Sequence, residues 1–108
     1  MAAIQNINSL AELTKVLANP KCIILFYSVW CPACHMILMP YEQFSQQYVD
    51  ICFARIDSEK MSQIAEKYNV SVTPTFVLFK NGMAYKNING SFYNELLTSV
   101  DDLNSFSI

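Results

Sequence analysis

Glycine and charge are both scarce in this chain of 108 residues, which holds two glycines and only 15% charged residues. That scarcity excludes a disordered or linker-like segment, and no repeats or low-complexity runs occur. Seven Lys and Arg against nine Asp and Glu leave a net charge of −2. The basic residues Lys15, Lys21, Arg55, Lys60, Lys67, Lys80 and Lys86 stand singly, so no basic face for nucleic acid is expected. Long apolar runs are missing as well. The run from Cys22 to Tyr27 is interrupted at Ser28 and is too short to span a bilayer, so no membrane partner is expected. The opening MAAIQNINSLAEL has neither a basic residue nor an apolar stretch leading to a cleavage site, which points to the cytoplasm rather than to secretion. Four cysteines are too few for a disulfide scaffold of this size. What is plentiful is apolar: 53% hydrophobic and 13% aromatic residues, enough for one compact domain over residues 1–108.

The order of elements follows from patterning. Ala3 to Ile7 reads as a short strand. Ser9-Leu10-Ala11-Glu12 has the spacing of a capping box, in which the Ser9 hydroxyl takes an N–H of the first turn and Glu12 reaches back. Leu10, Leu13, Val16 and Leu17 then keep helical spacing until Asn19-Pro20. Cys22 to Tyr27 does not alternate, which suits a central strand covered on both faces. A helix is predicted from Pro32 to about Val49, kinked at Pro40. Ile51 to Asp57 reads as a second buried strand, followed by a helix over Ser58 to Tyr68 with Met61, Ile64, Ala65 and Tyr68 on one side. Such alternation predicts parallel strands with helices on the faces. The rhythm then changes. Thr75 to Phe79 is a strand, Asn81-Gly82 is a two-residue hairpin signal, and Met83 to Asn89 returns antiparallel, so the sheet is mixed. After Gly90, Ser91 is placed to cap a last helix that turns Phe92, Leu96, Val100 and Leu103 toward the core.

The chemistry concentrates in Tyr27 to Pro40, YSVWCPACHMILMP. A Cys-x-x-Cys directly after a buried strand sets Cys31 at the head of a helix, where unpaired backbone N–H groups and the positive end of the helix dipole favour a thiolate. Cys31 is the candidate nucleophile. Cys34, less than one turn on and more buried, is the candidate resolving thiol. The spacer residues Pro32 and Ala33 tune which of the dithiol and disulfide forms is favoured, and Pro32 withholds one backbone donor from the sulfur. Two inert thiols in a helix, or half of a metal site, are the competing readings. Cys22, Cys52 and His35 lack the spacing of a zinc site, so no metal is expected.

WCPAC after CIILFYSV, then Val72-Thr73-Pro74-Thr75 leading into TFVLFKNG and Gly90, resembles the thioredoxin family over essentially the whole chain. The resemblance implies an α/β thioredoxin fold with a central mixed β-sheet flanked by four α-helices. It also implies a cis peptide between Thr73 and Pro74 facing the cysteines. It assigns substrate binding to Trp30, Thr73 and Pro74, with Trp30 on the surface and the Thr73 backbone pairing with an extended substrate segment. The implied activity is thiol–disulfide exchange by a monomer, with no cofactor beyond the Cys31–Cys34 disulfide. Protein disulfides would be its substrates, and a thioredoxin reductase or another thiol donor its reductant.

Three departures stand out. The buried aspartate common in the family six residues before the nucleophile is Leu25 here, and the lysine that pairs with it is Phe53. Replacing both by apolar residues is coherent, because a single loss would strand a charge in the core. The spacer is Pro-Ala rather than Gly-Pro, and Pro40 falls one position late. A disulfide reductase therefore stands beside two alternatives, a more oxidising oxidase or isomerase and a binding module with a slow or silent redox pair. His35, four residues after Cys31, is read as an exposed side chain with a mild tuning influence on the thiols. Cys22 and Cys52 are read as core packing, regulatory only if exposed. Met36, Met39 and Met61 are read as core or groove lining.

Overall fold

The computed structural model describes residues 4–107. Five strands and four helices follow in the order β1 (Gln5–Asn6), α1 (Leu10–Leu17), β2 (Lys21–Tyr27), α2 (Pro32–Gln47), β3 (Cys52–Asp57), α3 (Ser62–Lys67), β4 (Thr75–Lys80), β5 (Met83–Asn89) and α4 (Tyr93–Asn104). The sheet runs β1-β3-β2-β4-β5. β1 and β2 flank β3 in parallel, while β4 lies antiparallel to both β2 and β5. The mixed sheet and the central place of β2 are as the sequence predicts.

β2 is apolar on both sides because both sides are covered. Ile23 and Leu25 join Ile37, Tyr41, Phe44, Phe53 and Phe76 in the core beneath α2 and α4. Cys22, Ile24 and Phe26 point the other way, into a second core with Leu13, Val16 and Ile64 from α1 and α3. Burying an alternate set of residues on each face fixes the register of the strand, since a slip of one residue would exchange the two sets.

Local chemistry sets the ends of the elements. Ser9 Oγ accepts from the Glu12 N–H at 3.1 Å, and the Glu12 carboxylate accepts from the N–H of Asn8 at 2.8 Å, one residue before the cap. At the hairpin, Asn81 (φ 51°) and Gly82 (φ 79°) both take the left-handed conformation that a tight two-residue turn requires.

Several boundaries differ from the patterning. β1 is confined to Gln5–Asn6, with the Ile7 N–H still bonded to the Arg55 carbonyl at 2.9 Å; Ala3 lies outside the described residues. α2 ends at Gln47, and Pro40 sits inside it. α3 begins at Ser62 rather than Ser58. The Asp57 carboxylate takes the N–H groups of Glu59 (2.9 Å) and Lys60 (3.2 Å), which holds the intervening residues in a turn. α4 begins at Tyr93, and Ser91 does not cap it. Phe92 turns out to solvent, 62% exposed, with its ring lying over Gly90 at a place where a Cβ would be only 2.7 Å from the ring. Met36 and Met39 are also outside the core, at 77% and 68% exposed. Met61 packs against the α1 and α3 core as read.

Tyr41 ties α2 to the sheet. Its ring is wholly buried against Phe53 and Phe76, each 5.3 Å away between centroids. Its hydroxyl reaches the carbonyls of Ala54 (2.7 Å) on β3 and Ile23 (3.0 Å) on β2. Burial pushes the phenol well above its ordinary range, so it stays a donor. Tyr41→Phe keeps the ring and removes only this bond. The expected loss is about 1 kcal/mol or somewhat more, read in urea as a lower midpoint with an unchanged slope.

Candidate active site

β2 ends at Tyr27, and residues 28–31 turn the chain into α2. The Cys31 N–H closes the turn on the Ser28 carbonyl at 3.2 Å, and the Trp30 N–H donates to Ser28 Oγ at 3.3 Å. Cys31 is the N-cap of α2 in extended conformation, and Pro32 occupies the first helical position, where a missing N–H costs nothing. The cap is a sulfur cap: Cys31 Sγ accepts from the Cys34 N–H at 3.1 Å. An N–H directed at the sulfur from the first helical turn favours an anionic sulfur over a neutral one.

Cys31 and Cys34 are joined in a disulfide, their Cα atoms 5.2 Å apart. The two ends differ in access. Cys31 is half-buried and Cys34 buried. An incoming group therefore meets Cys31 first, the asymmetry that separates a nucleophile from a resolving thiol.

Cys31 Sγ also lies 3.5 Å from the Thr73 carbonyl oxygen. The peptide between Thr73 and Pro74 is cis. This loop is pinned from behind: the Gly90 N–H donates to the Pro74 carbonyl at 2.7 Å, and the Thr75 hydroxyl sits between the Val72 carbonyl (2.8 Å) and the Asn89 side chain (3.0 Å). Among the described residues, the Thr73 N–H has no acceptor within the chain. Apolar side chains rim the site. Trp30 is 80% exposed beside Cys31, with Val29, Val72 and Phe92 also open to solvent.

His35 is exposed, and its Nε2 donates to the Val29 carbonyl at 3.3 Å in the tautomer protonated there. Ala33 is half-buried and Pro32 exposed. The structure thus brings Cys31, Cys34 and Thr73 into contact, sets Pro74 and Trp30 beside them, and leaves His35 on the outer flank. No group of three or more His, Cys, Asp or Glu arranged to hold a metal occurs among the described residues.

Beneath Cys34 lies a cavity of about 60 Å³ whose wall includes Leu25, Tyr27, His35, Leu38 and Arg55. Among the described residues no carboxylate lines it. Phe53 pairs across the sheet with Ile23, whereas Leu25 pairs with Arg55. The cation across from the vacated aspartate position is thus Arg55, two residues beyond the expected lysine site. Its Nε donates to Asn6 Oδ1 at 2.6 Å, and its guanidinium lies 5.4 Å from the centre of the Tyr27 ring. Sequence reading passed over Arg55 because strand register, which puts it opposite Leu25, has no local signature.

Comparison with known proteins agrees with this geometry. The thioredoxin family model matches residues 5–102. Thioredoxin-1 of Saccharomyces cerevisiae is 35% identical over 82 residues, covering 75% of this chain and 80% of that protein. Thioredoxin-1 of Schizosaccharomyces pombe is 30% identical over 98 residues, covering 90% and 95%. The crystal structure of the Malassezia sympodialis thioredoxin superposes with a TM-score of 0.90 at 27% identity, over 97% of this chain and 94% of that one. With the match running from β1 into α4 and taking in the cysteines and the cis-proline loop that the fold itself brings together, this chain belongs to the thioredoxin family.

Proposed function

We propose that this thiol–disulfide oxidoreductase acts as a monomeric, cytoplasmic reductase of protein disulfides, with Cys31 as nucleophile and Cys34 as resolving thiol. In the dithiol form the Cys31 thiolate attacks one sulfur of a substrate disulfide. A mixed disulfide forms and the first substrate thiolate leaves. The Cys34 thiolate then attacks Cys31 Sγ, the second substrate thiolate leaves, and the chain ends as the Cys31–Cys34 disulfide. Two electrons have passed to the substrate, and a thioredoxin reductase or another dithiol donor returns them. The observation that carries this reading is the position of Cys31 Sγ, 3.1 Å from the Cys34 N–H and beside the Thr73 carbonyl on an open face.

Substrate binding follows from the same face. An extended peptide segment pairs its backbone with the Thr73 N–H and C=O, as a strand added to a sheet edge does, while Trp30 and Pro74 give it apolar contact. Pro32 and Ala33 set the balance between dithiol and disulfide by controlling which donors reach the sulfur, and His35 tunes the pair from the rim, where its ring meets the Val29 carbonyl.

Resolution requires a Cys34 thiolate in a pocket without a carboxylate to take its proton. Arg55 lines that pocket beside His35, and its guanidinium stabilises the thiolate as it forms. The proton leaves to water or to the departing substrate thiolate.

Cys34→Ser is expected to stop the cycle at the mixed disulfide. Substrates should then be recovered on Cys31 after non-reducing electrophoresis, and dithiothreitol-driven insulin reduction should be lost. If Cys31 traps nothing while it remains alkylatable, the assignment of nucleophile and resolver is wrong. Arg55→Leu is expected to slow product release in single-turnover experiments roughly tenfold, the equivalent of about 1.4 kcal/mol of lost thiolate stabilisation. Arg55→Lys should restore most of that rate, and alkylation of Cys31 should be unchanged in both variants.

A further inference from the structure

Cys22 and Cys52 are free thiols outside the Cys31–Cys34 bridge. They are register partners on adjacent parallel strands, β2 and β3, and both face the core beneath α1 and α3. Neighbouring strands lie about 4.8 Å apart, within the roughly 4.4–6.8 Å between Cα atoms that a disulfide bridges. Two thiols side by side on one face of a sheet are already placed for bond formation.

The two sulfurs have unlike surroundings. Cys22 is fully buried, its sulfur 3.0 Å from the Val16 carbonyl and 3.2 Å from that of Asn19. Cys52 is half-buried, and the side-chain amide of Gln5, on edge strand β1, donates to its sulfur at 3.6 Å. The neighbouring Cys52 sulfur, together with burial, pushes the Cys22 thiol up, and the proximity of Cys22 pulls the Cys52 thiol below its ordinary value. Cys52 is thus the more acidic as well as the more accessible of the two thiols, so nucleophilicity and access coincide on it.

We propose that Cys52 and Cys22 form a second redox site, at which a hydroperoxide oxidises Cys52 and Cys22 closes a disulfide across β2 and β3. The Cys52 thiolate attacks one oxygen of the hydroperoxide. An S–O bond forms, the O–O bond breaks, and the alcohol or water leaves with a proton, giving Cys52 sulfenic acid. The Cys22 sulfur then attacks that sulfur, the S–O bond breaks, and hydroxide leaves as water with the Cys22 proton. Two thiols and one hydroperoxide become one disulfide, one alcohol and one water. The half-buried position of Cys52 selects for a small oxidant. Exchange with a peptide disulfide needs three sulfurs in line, which a half-buried sulfur beside a fully buried partner does not offer.

The test uses the whole chain with its Cys31–Cys34 disulfide formed and hydrogen peroxide as the probe. The expected result is loss of both remaining thiols and a mass lower by two hydrogens. Peptide mapping should join Cys22 to Cys52 within one chain, and dithiothreitol should reverse the link. Cys22→Ala should stop Cys52 at a sulfenic acid captured by dimedone, and Cys52→Ala should leave Cys22 unoxidised. The proposal is overturned if both thiols survive peroxide that oxidises a free cysteine peptide, or if Cys22 is the sulfur captured. It is equally overturned if the link joins two chains, or if glutathione disulfide oxidises the pair as fast as peroxide. Should either variant fail to fold, the map of the unsubstituted chain decides alone.

Discussion

The N–H of Cys34, aimed at the Cys31 sulfur from 3.1 Å, is the contact on which the reactive face depends. It exists only because α2 starts at Pro32, so that Cys31 caps the helix and the Cys34 N–H, in the first turn, is shared between the Cys31 sulfur and the Cys31 carbonyl. That start is fixed in turn by β2, whose alternate residues are locked into two separate cores and deliver the chain to the turn at residue 28. A polar bond at the surface is thus aimed by apolar packing beneath it. Tyr41 closes the same loop of causes, joining the middle of α2 to carbonyls of both β2 and β3.

The sheet and the cysteine site were legible because their signals are local. A non-alternating apolar strand, a proline just inside a helix and an Asn-Gly turn each act within a few residues, and each is where the patterning put it. The errors fall where a distant or competing contact decides. The helix expected at Ser58 begins only at Ser62, after a separate turn that the Asp57 carboxylate caps through the N–H groups of Glu59 and Lys60. Phe92 carries an apolar side chain at the correct helical interval, yet Gly90 offers its ring a seat outside the core. Periodicity counts spacing and has no knowledge of a glycine two residues earlier.

The apolar substitution at Leu25 and Phe53 shows how far a resemblance reaches. Motif spacing correctly identified both positions as buried and uncharged, which leaves no stranded charge in the core. Motif spacing alone shows no charge beside the pocket beneath Cys34. Register shows otherwise: Arg55 stands across from Leu25 and lines that pocket, half-buried and held by Asn6 and the Tyr27 ring. A half-buried guanidinium is cheaper to keep charged than a carboxylate in the core, because it retains part of its hydration. The chain therefore keeps a charge near the resolving sulfur without burying an ion pair, although a cation can only stabilise the thiolate and cannot accept its proton.

Two pairs of cysteines in one small fold show how backbone context divides one chemistry into two kinds of site. In Cys31–Cys34 the polarising group is a backbone N–H at a helix head, which supports a thiolate whether or not the other thiol is present. In Cys22–Cys52 the two sulfurs are neighbours on one sheet face and shift each other's acidity in opposite directions, so substituting one cysteine alters its neighbour as well as removing a partner. A helix head opens toward solvent and admits a bulky substrate; a sheet face beneath α1 does not. Repeated exchange with large partners belongs to the first arrangement for that reason, and slow capture of a small oxidant to the second. The same geometry makes the second pair costly to change, since Cys22 fills a fully buried position whose sulfur also meets the carbonyls of Val16 and Asn19.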